Sequence, residues 1–198
     1  MGAQPCPKDN DLDLLLIRPG LPEKSRSTSD VPLSATGQAQ AERVAARLAD
    51  EPIDAIWSST MQRAIETAAP LARTRALAIN QHPQISEYDR NSGEYIPIEE
   101  LRVTDPAAFA ALASGGPGVD LAAFQAEVVT AIEAIITAHA GERVAVFCHG
   151  GVINVWTAHV LGMPVQLFFE PRYTSINRFI CGAGGRRTLV SLNDHAHL

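Results

Sequence analysis

Two short runs constrain this chain more than anything else in it. "LDLLLI" (Leu12–Ile17) and "RVAVFC" (Arg143–Cys148) are almost continuously apolar, with no alternation of polar and apolar positions. A strand with one wet face alternates, whereas a strand covered on both faces does not. Both runs therefore read as central strands of a largely parallel sheet with helices on either side. The segments between them agree. Ser34 offers an N-cap, and Ala41, Val44, Ala45 and Leu48 form one apolar helix face that ends before Pro52. "IDAIW" (Ile53–Trp57) reads as a second strand, followed by a helix to about Leu71 with capping-box spacing between Ser59 and Gln62. A weak strand is expected around Ala78 and Ile79, and a long amphipathic helix over Leu121–Ala138. Another helix is expected over Ile153–Leu161, and "SINRFIC" and "TLVSL" read as a hairpin across "GAGGRR". Strands alternating with helices predict an α/β fold.

Length and charge bound the function. With 198 residues, the chain fits one domain over 1–198, with an insertion or lid segment at about 88–118. That segment is rich in Gly, Pro and charge, and a short helix is expected near Ala107 to Leu112. A net charge of -6 excludes the broad basic face that nucleic acid requires. Cys6, Cys148 and Cys181 show neither disulfide-framework nor zinc spacing, which predicts a reducing, cytoplasmic setting. The N-terminus has no basic region followed by an apolar run, and no apolar stretch approaches the roughly 18 residues that span a bilayer. No membrane partner is expected.

Ligands of open parallel sheets sit beyond the carboxyl ends of the strands. Three polar features fall there. Arg18 follows the first strand, Arg63 lies in the first turn of the helix after the second, and His149 precedes Gly150 and Gly151 at the start of another helix. Glycines at a helix N-terminus favour an anion, two guanidinium groups can clamp phosphate or carboxylate oxygens, and histidine can move a proton or attack phosphorus. Singly, each has a plainer reading: a solvated arginine, a structural histidine. Their agreement at three strand ends points to an oxyanion site. There is no GxSxG, so a serine hydrolase is not indicated. Cys148 and His149 are neighbours on opposite strand faces and form no dyad. His195 and His197 suggest a frayed tail before they suggest metal.

Four blocks, "LLLIRPG", "DVPLSATGQAQA", "SSTMQRAIETA" and "VAVFCHGG", resemble the histidine phosphatase superfamily of phosphoglycerate-mutase-like proteins over most of the chain. The resemblance implies a three-layer α/β/α sandwich with a mostly parallel central sheet. It also implies a phosphohistidine mechanism, in which two arginines and a second histidine hold the phosphoryl group and an acid protonates the leaving oxygen. On that resemblance Arg18 and Arg63 are the arginines, His149 is the second histidine, and Gly20 and Gly150 belong to the phosphate-binding loops. Glu87, in "ISEYDRNSGEY", is the acid, with Glu94 and Glu99 as alternatives.

The nucleophile position is occupied by Pro19. Proline has no side-chain nucleophile and no N–H, although its fixed φ suits the loop and favours an extended Arg18. The resemblance thus implies a pseudoenzyme-like protein. It would keep a phosphate-binding pocket and bind a phosphorylated small molecule or phosphoprotein, with phosphohistidine chemistry lost or strongly impaired. The alternative is an active phosphomonoesterase hydrolase that uses His149 and Glu87 by another route. A purely structural domain and a mutase are the weaker readings. No metal and no organic cofactor is implied, because the guanidinium groups supply the positive charge. Ligand identity and oligomeric state have no signature in the chain.

Overall fold

A computed structural model describes residues 10–91, 93, 95, 98–113 and 120–198. In chain order the elements are β1 (Leu12–Ile17), α1 (Ala35–Arg47), β2 (Ala55–Ser58), α2 (Gln62–Arg75), β3 (Ile79–Gln81), a 3₁₀ turn (Pro83–Ile85), α3 (Ile98–Thr104), α4 (Pro106–Ala113), α5 (Leu121–Ala138), β4 (Arg143–Phe147), α6 (Gly150–Leu161), β5 (Ile176–Cys181) and β6 (Arg187–Asp194). Six strands form one sheet in the order β3-β2-β4-β1-β5-β6. β3, β2, β4 and β1 run parallel, while β5 and β6 are antiparallel.

The unalternating pattern of β1 has a direct cause. Leu12, Leu14 and Leu16 point into one core with Phe124, Val128 and Ile132 of α5 and Val152 and Trp156 of α6. Leu15 and Ile17 point the other way, against Val44 and Leu48 of the α1 segment and Ala68 and Leu71 of α2. β1 is fully buried on both faces, and β4 divides in the same way between the two cores. The result is the expected α/β/α arrangement. Asp13 interrupts the apolar run without opening it to water, because Arg143 on the neighbouring strand donates to its carboxylate at 2.6 Å.

Several elements depart from the sequence reading. α2 runs one turn past Leu71 to Arg75, carrying Pro70 inside it, and stops where Ala76 turns left-handed at φ 53°. α6 starts at Gly150 rather than Ile153, since glycine is no obstacle in a first turn. Two helices, α3 and α4, replace the single one expected near Ala107 to Leu112. The expectation that no stretch nears spanning length fails for α5, which is long and apolar enough by composition. Its buried residues Phe124, Val128, Ile132, Ile135 and Ile136 pack on the sheet, as those of a core helix do. The C-terminus is not frayed, because the His197 ring hydrogen-bonds the Thr174 hydroxyl at 3.1 Å.

The loop after β1 crosses the N-terminal turn of α1 with almost no clearance. A Cβ on Gly37 would lie 2.1 Å from the Leu21 carbonyl oxygen, and one on Gly20 would lie 2.5 Å from the Gly37 oxygen. Both obstacles are backbone, so neither can swing away. Gly37→Ala is expected to lower the unfolding free energy by about 1–3 kcal/mol, the range for overpacking a closed site. Urea denaturation followed by circular dichroism measures it; an unchanged midpoint would show that the loop can lift.

Candidate active site

The site begins where β1 stops. The Arg18 N–H donates to the Ser175 carbonyl at 3.2 Å, and the Arg18 carbonyl accepts from the Thr174 N–H at 3.1 Å. Fixed at both ends, the residue lines the pocket beyond the carboxyl end of β1. There its guanidinium donates to the Pro171 carbonyl and lies 4.0 Å above the centre of the Tyr173 ring. Pro19 comes next and lines the pocket. Gly20 returns to hydrogen-bonding, with its N–H donating to the Thr67 hydroxyl at 3.0 Å. That hydroxyl in turn donates to the Arg63 carbonyl at 2.6 Å, so the turn after β1 and the first turn of α2 are pinned to each other.

Arg63 is only 3% exposed. It donates to the Ser29 carbonyl at 2.8 Å and faces the Tyr95 ring at 4.9 Å. Carbonyls and rings orient both cations at the cavity wall. His149 is the N-cap residue of α6, and its Nε2 meets the Ser59 hydroxyl at 2.7 Å. Burial, then Arg63, then Arg18, hold its basicity well below the ordinary histidine range. The ring is therefore neutral at neutral pH.

Glu87 sits across the cavity. Both of its carboxylate oxygens lie 3.1 Å from the Gly151 N–H. The start of α6, read from sequence as a seat for an outside anion, thus already receives a carboxylate through Gly151. Gly151 must be glycine for this, because a Cβ there would lie 2.2 Å from Glu87 Oε1. Burial first, and then the neighbouring Asp89, push the Glu87 carboxyl up to about 7, against the opposing pull of Gly151 and Arg63. Asp89 is itself raised by burial, and its Oδ1 is buried without a hydrogen-bond partner.

Arg18, Pro19, Gly20, Arg63, Glu87, His149 and Gly150 all line one cavity of about 390 Å³. The alternatives to Glu87 are not placed: Glu94 lies outside the described residues, as does the Glu99 side chain. Ser59 does not cap α2 as its spacing suggested. The N-cap is Met61, and Ser59 accepts the Met61 N–H at 3.3 Å while holding His149. Sequence reasoning also passed over Asp89, Tyr173 and Asn154. Asn154 had a signal, a lone amide inside an otherwise apolar helix. Its Oδ1 accepts the N–H groups of Phe168 and Phe169 at 2.8 and 3.1 Å, and its Nδ2 donates to the Gly150 and Phe169 carbonyls, each at 2.9 Å.

The family model of the histidine phosphatase superfamily (branch 1) matches residues 14–195. The chain belongs to that superfamily. An uncharacterized Mycobacterium tuberculosis protein, Rv0525, is 35% identical over 147 residues, covering 71% of this chain and 70% of that protein. Phosphoglycerate mutase-like protein 4 of Arabidopsis thaliana is 31% identical over 180 residues, covering 85% and 77%. The solved structure of Bacillus stearothermophilus YhfR superimposes with a TM-score of 0.79 at 27% identity, over 94% of this chain and 98% of that one.

In this superfamily member the groups at the pocket suit complementary tasks. Guanidinium groups bind oxyanions, a neutral imidazole offers a lone pair, and a carboxyl near pH 7 can give or take a proton. The raised Glu87 also has a consequence for stability. Its folded pKa, about 7, lies above the 4.5 of an unperturbed glutamate. Its contribution is thus complete below the unfolded value and lost as pH rises through about 7. The thermal midpoint of the wild type is expected to fall relative to Glu87→Gln between roughly pH 4.5 and 8. Parallel calorimetric profiles for the two proteins would show that Glu87 ionises normally.

Proposed function

We propose that this histidine phosphatase binds a phosphate monoester, on a small molecule or a phosphoprotein, between Arg18, Arg63 and His149. In this reading Pro19 has removed or strongly impaired the covalent step. The observation that carries it is the convergence of two buried guanidinium groups on one cavity with His149, each held by a carbonyl and an aromatic face. Such an arrangement is made before the ligand arrives, so little ordering is needed on binding. The loss of phosphohistidine rests on the family resemblance, which puts the nucleophile at position 19. Removing a covalent nucleophile costs up to about a million-fold in turnover, while charge stabilisation by the remaining groups survives. Two buried free thiols, Cys148 and Cys181, accord with a reducing, cytoplasmic setting.

A second reading is favoured by one pair of observations. His149 is held unprotonated, and Glu87 is held near 7. That is the protonation state an active phosphomonoesterase needs if His149 attacks phosphorus or activates water while Glu87 protonates the leaving oxygen. Turnover separates the readings. The binding protein hydrolyses an aryl phosphate negligibly, and Pro19→His raises the rate by orders of magnitude. The alternative enzyme is active as isolated and loses activity in His149→Ala.

Inorganic phosphate, titrated by calorimetry, is expected to bind the wild type and to lose at least about tenfold in affinity in Arg63→Ala, the scale for one charge-assisted partner. No binding, or binding indifferent to Arg63, refutes the clamp.

A further inference from the structure

The phosphate clamp accounts for only part of the lining of the cavity, and the rest must receive whatever the phosphate is attached to. That remainder has a definite character. One wall is the segment Leu167, Phe168 and Phe169. Its backbone is locked to α6 by the Asn154 amide, which accepts from both phenylalanine N–H groups and donates to the Phe169 carbonyl. The Phe168 and Phe169 rings stand 5.0 Å apart. Tyr88, seated edge-on against Phe124 at 5.9 Å, and Phe109 of α4 line the same cavity. A volume of about 390 Å³ lies in the range of pockets that enclose an organic ligand.

The charges on these walls are equally informative. Beyond the clamp, the ionisable acidic and basic groups among the described lining residues are Glu87, Asp89, Glu170 and Arg102. Arg102 pairs with Glu170 at 3.1 Å and lies 5.9 Å from the Phe109 ring. A ligand carrying a second anion would therefore face three acidic side chains and a cation that already has an acidic partner. An uncharged ring would face rings.

We propose that the pocket selects phosphate monoesters of aryl or comparably bulky apolar alcohols that carry no second acidic group. This inference rests on the phosphate clamp and names the class of organic group it serves. Asn154 is then a positioning residue for the aromatic wall, and Phe109 and Phe169 are the side chains that read the ligand.

Phosphonates test this without turnover. Calorimetric titrations of the full chain compare methylphosphonate, 1-naphthylmethylphosphonate and 2-amino-4-phosphonobutanoate. The naphthyl compound is expected to bind at least about tenfold more tightly than methylphosphonate, the return on burying one large apolar group. The carboxylate-bearing compound is expected to bind no more tightly than methylphosphonate. Phe109→Ala and Phe169→Ala are each expected to cut the naphthyl-to-methyl affinity ratio by about two- to tenfold, as for loss of one aromatic contact. Equal affinities for the naphthyl and methyl compounds overturn the inference and leave the clamp standing. So does a preference for the carboxylate-bearing compound, or a ratio that neither variant moves. If none of the three binds, the clamp itself fails and this inference falls with it.

Discussion

The pocket depends on how the carboxyl end of β1 is held. A central strand normally gives its last backbone groups to its two neighbours, and here that pairing continues into the loop. The Ile17 carbonyl accepts from the Cys148 N–H at 3.0 Å, and the Arg18 N–H reaches Ser175 on the other side. Asn177 of β5 adds its side-chain amide to the Leu16 carbonyl at 3.1 Å. Thr174 completes the grip from a left-handed backbone, φ 55°, that places its N–H toward the Arg18 and Pro19 carbonyls. A non-glycine residue is held in that region only when its surroundings over-determine it. β4 and β5 are the two strands beside β1, so the same junction sets the starting point of α6 and the position of Tyr173. Arg18, His149 and the ring under Arg18 are thus three consequences of one strand end.

Burying two guanidinium groups beside each other opposes folding unless something offsets the cost of taking them from water. Carbonyl oxygens and aromatic faces do part of this work without cancelling the charge. Ser29 and Tyr95 serve Arg63, while Pro171 and Tyr173 serve Arg18. Acidic groups do more. Glu87 and Asp89 both feel Arg63, yet burial holds both above their usual range. His149 bears the opposite burden. Burial and the two arginines suppress a proton on its ring, which leaves the imidazole neutral, with the Ser59 hydroxyl at its Nε2.

Much of this was legible in the sequence, for physical reasons. β1 and β4 announced themselves because burial on both faces removes the period of two, and α5 because its apolar spacing is helical from end to end. Arg18, Arg63 and His149 were findable because each stands at the end of a recognisable strand or the start of a helix, where a parallel sheet puts its ligands. What escaped depends on long-range geometry. Ser59 looked like a cap because local spacing cannot show His149, ninety residues on, competing for its hydroxyl. The extra turn of α2 had no local signal at its end, because the left-handed residue that stops it is an alanine, Ala76, rather than the usual glycine. Asp89 was invisible as a pocket residue, since only folding buries it and gives it Arg63 as a neighbour.

Pro19 is the residue where fold and chemistry separate. Its neighbours' backbone groups are accounted for without an N–H from it. The Arg18 N–H and carbonyl, the Pro19 carbonyl and the Gly20 N–H all have partners in β5, α2 or the Thr174 turn. The loop is therefore complete with proline in place, and nothing in the grip on Arg18 refers to the side chain at 19. The same holds across the cavity, where Arg63 is set by Ser29 and Thr67, and His149 by Ser59. A pocket assembled this way has no structural need for an imidazole at 19, which is why a proline there is compatible with the positions of Arg18, Arg63 and His149.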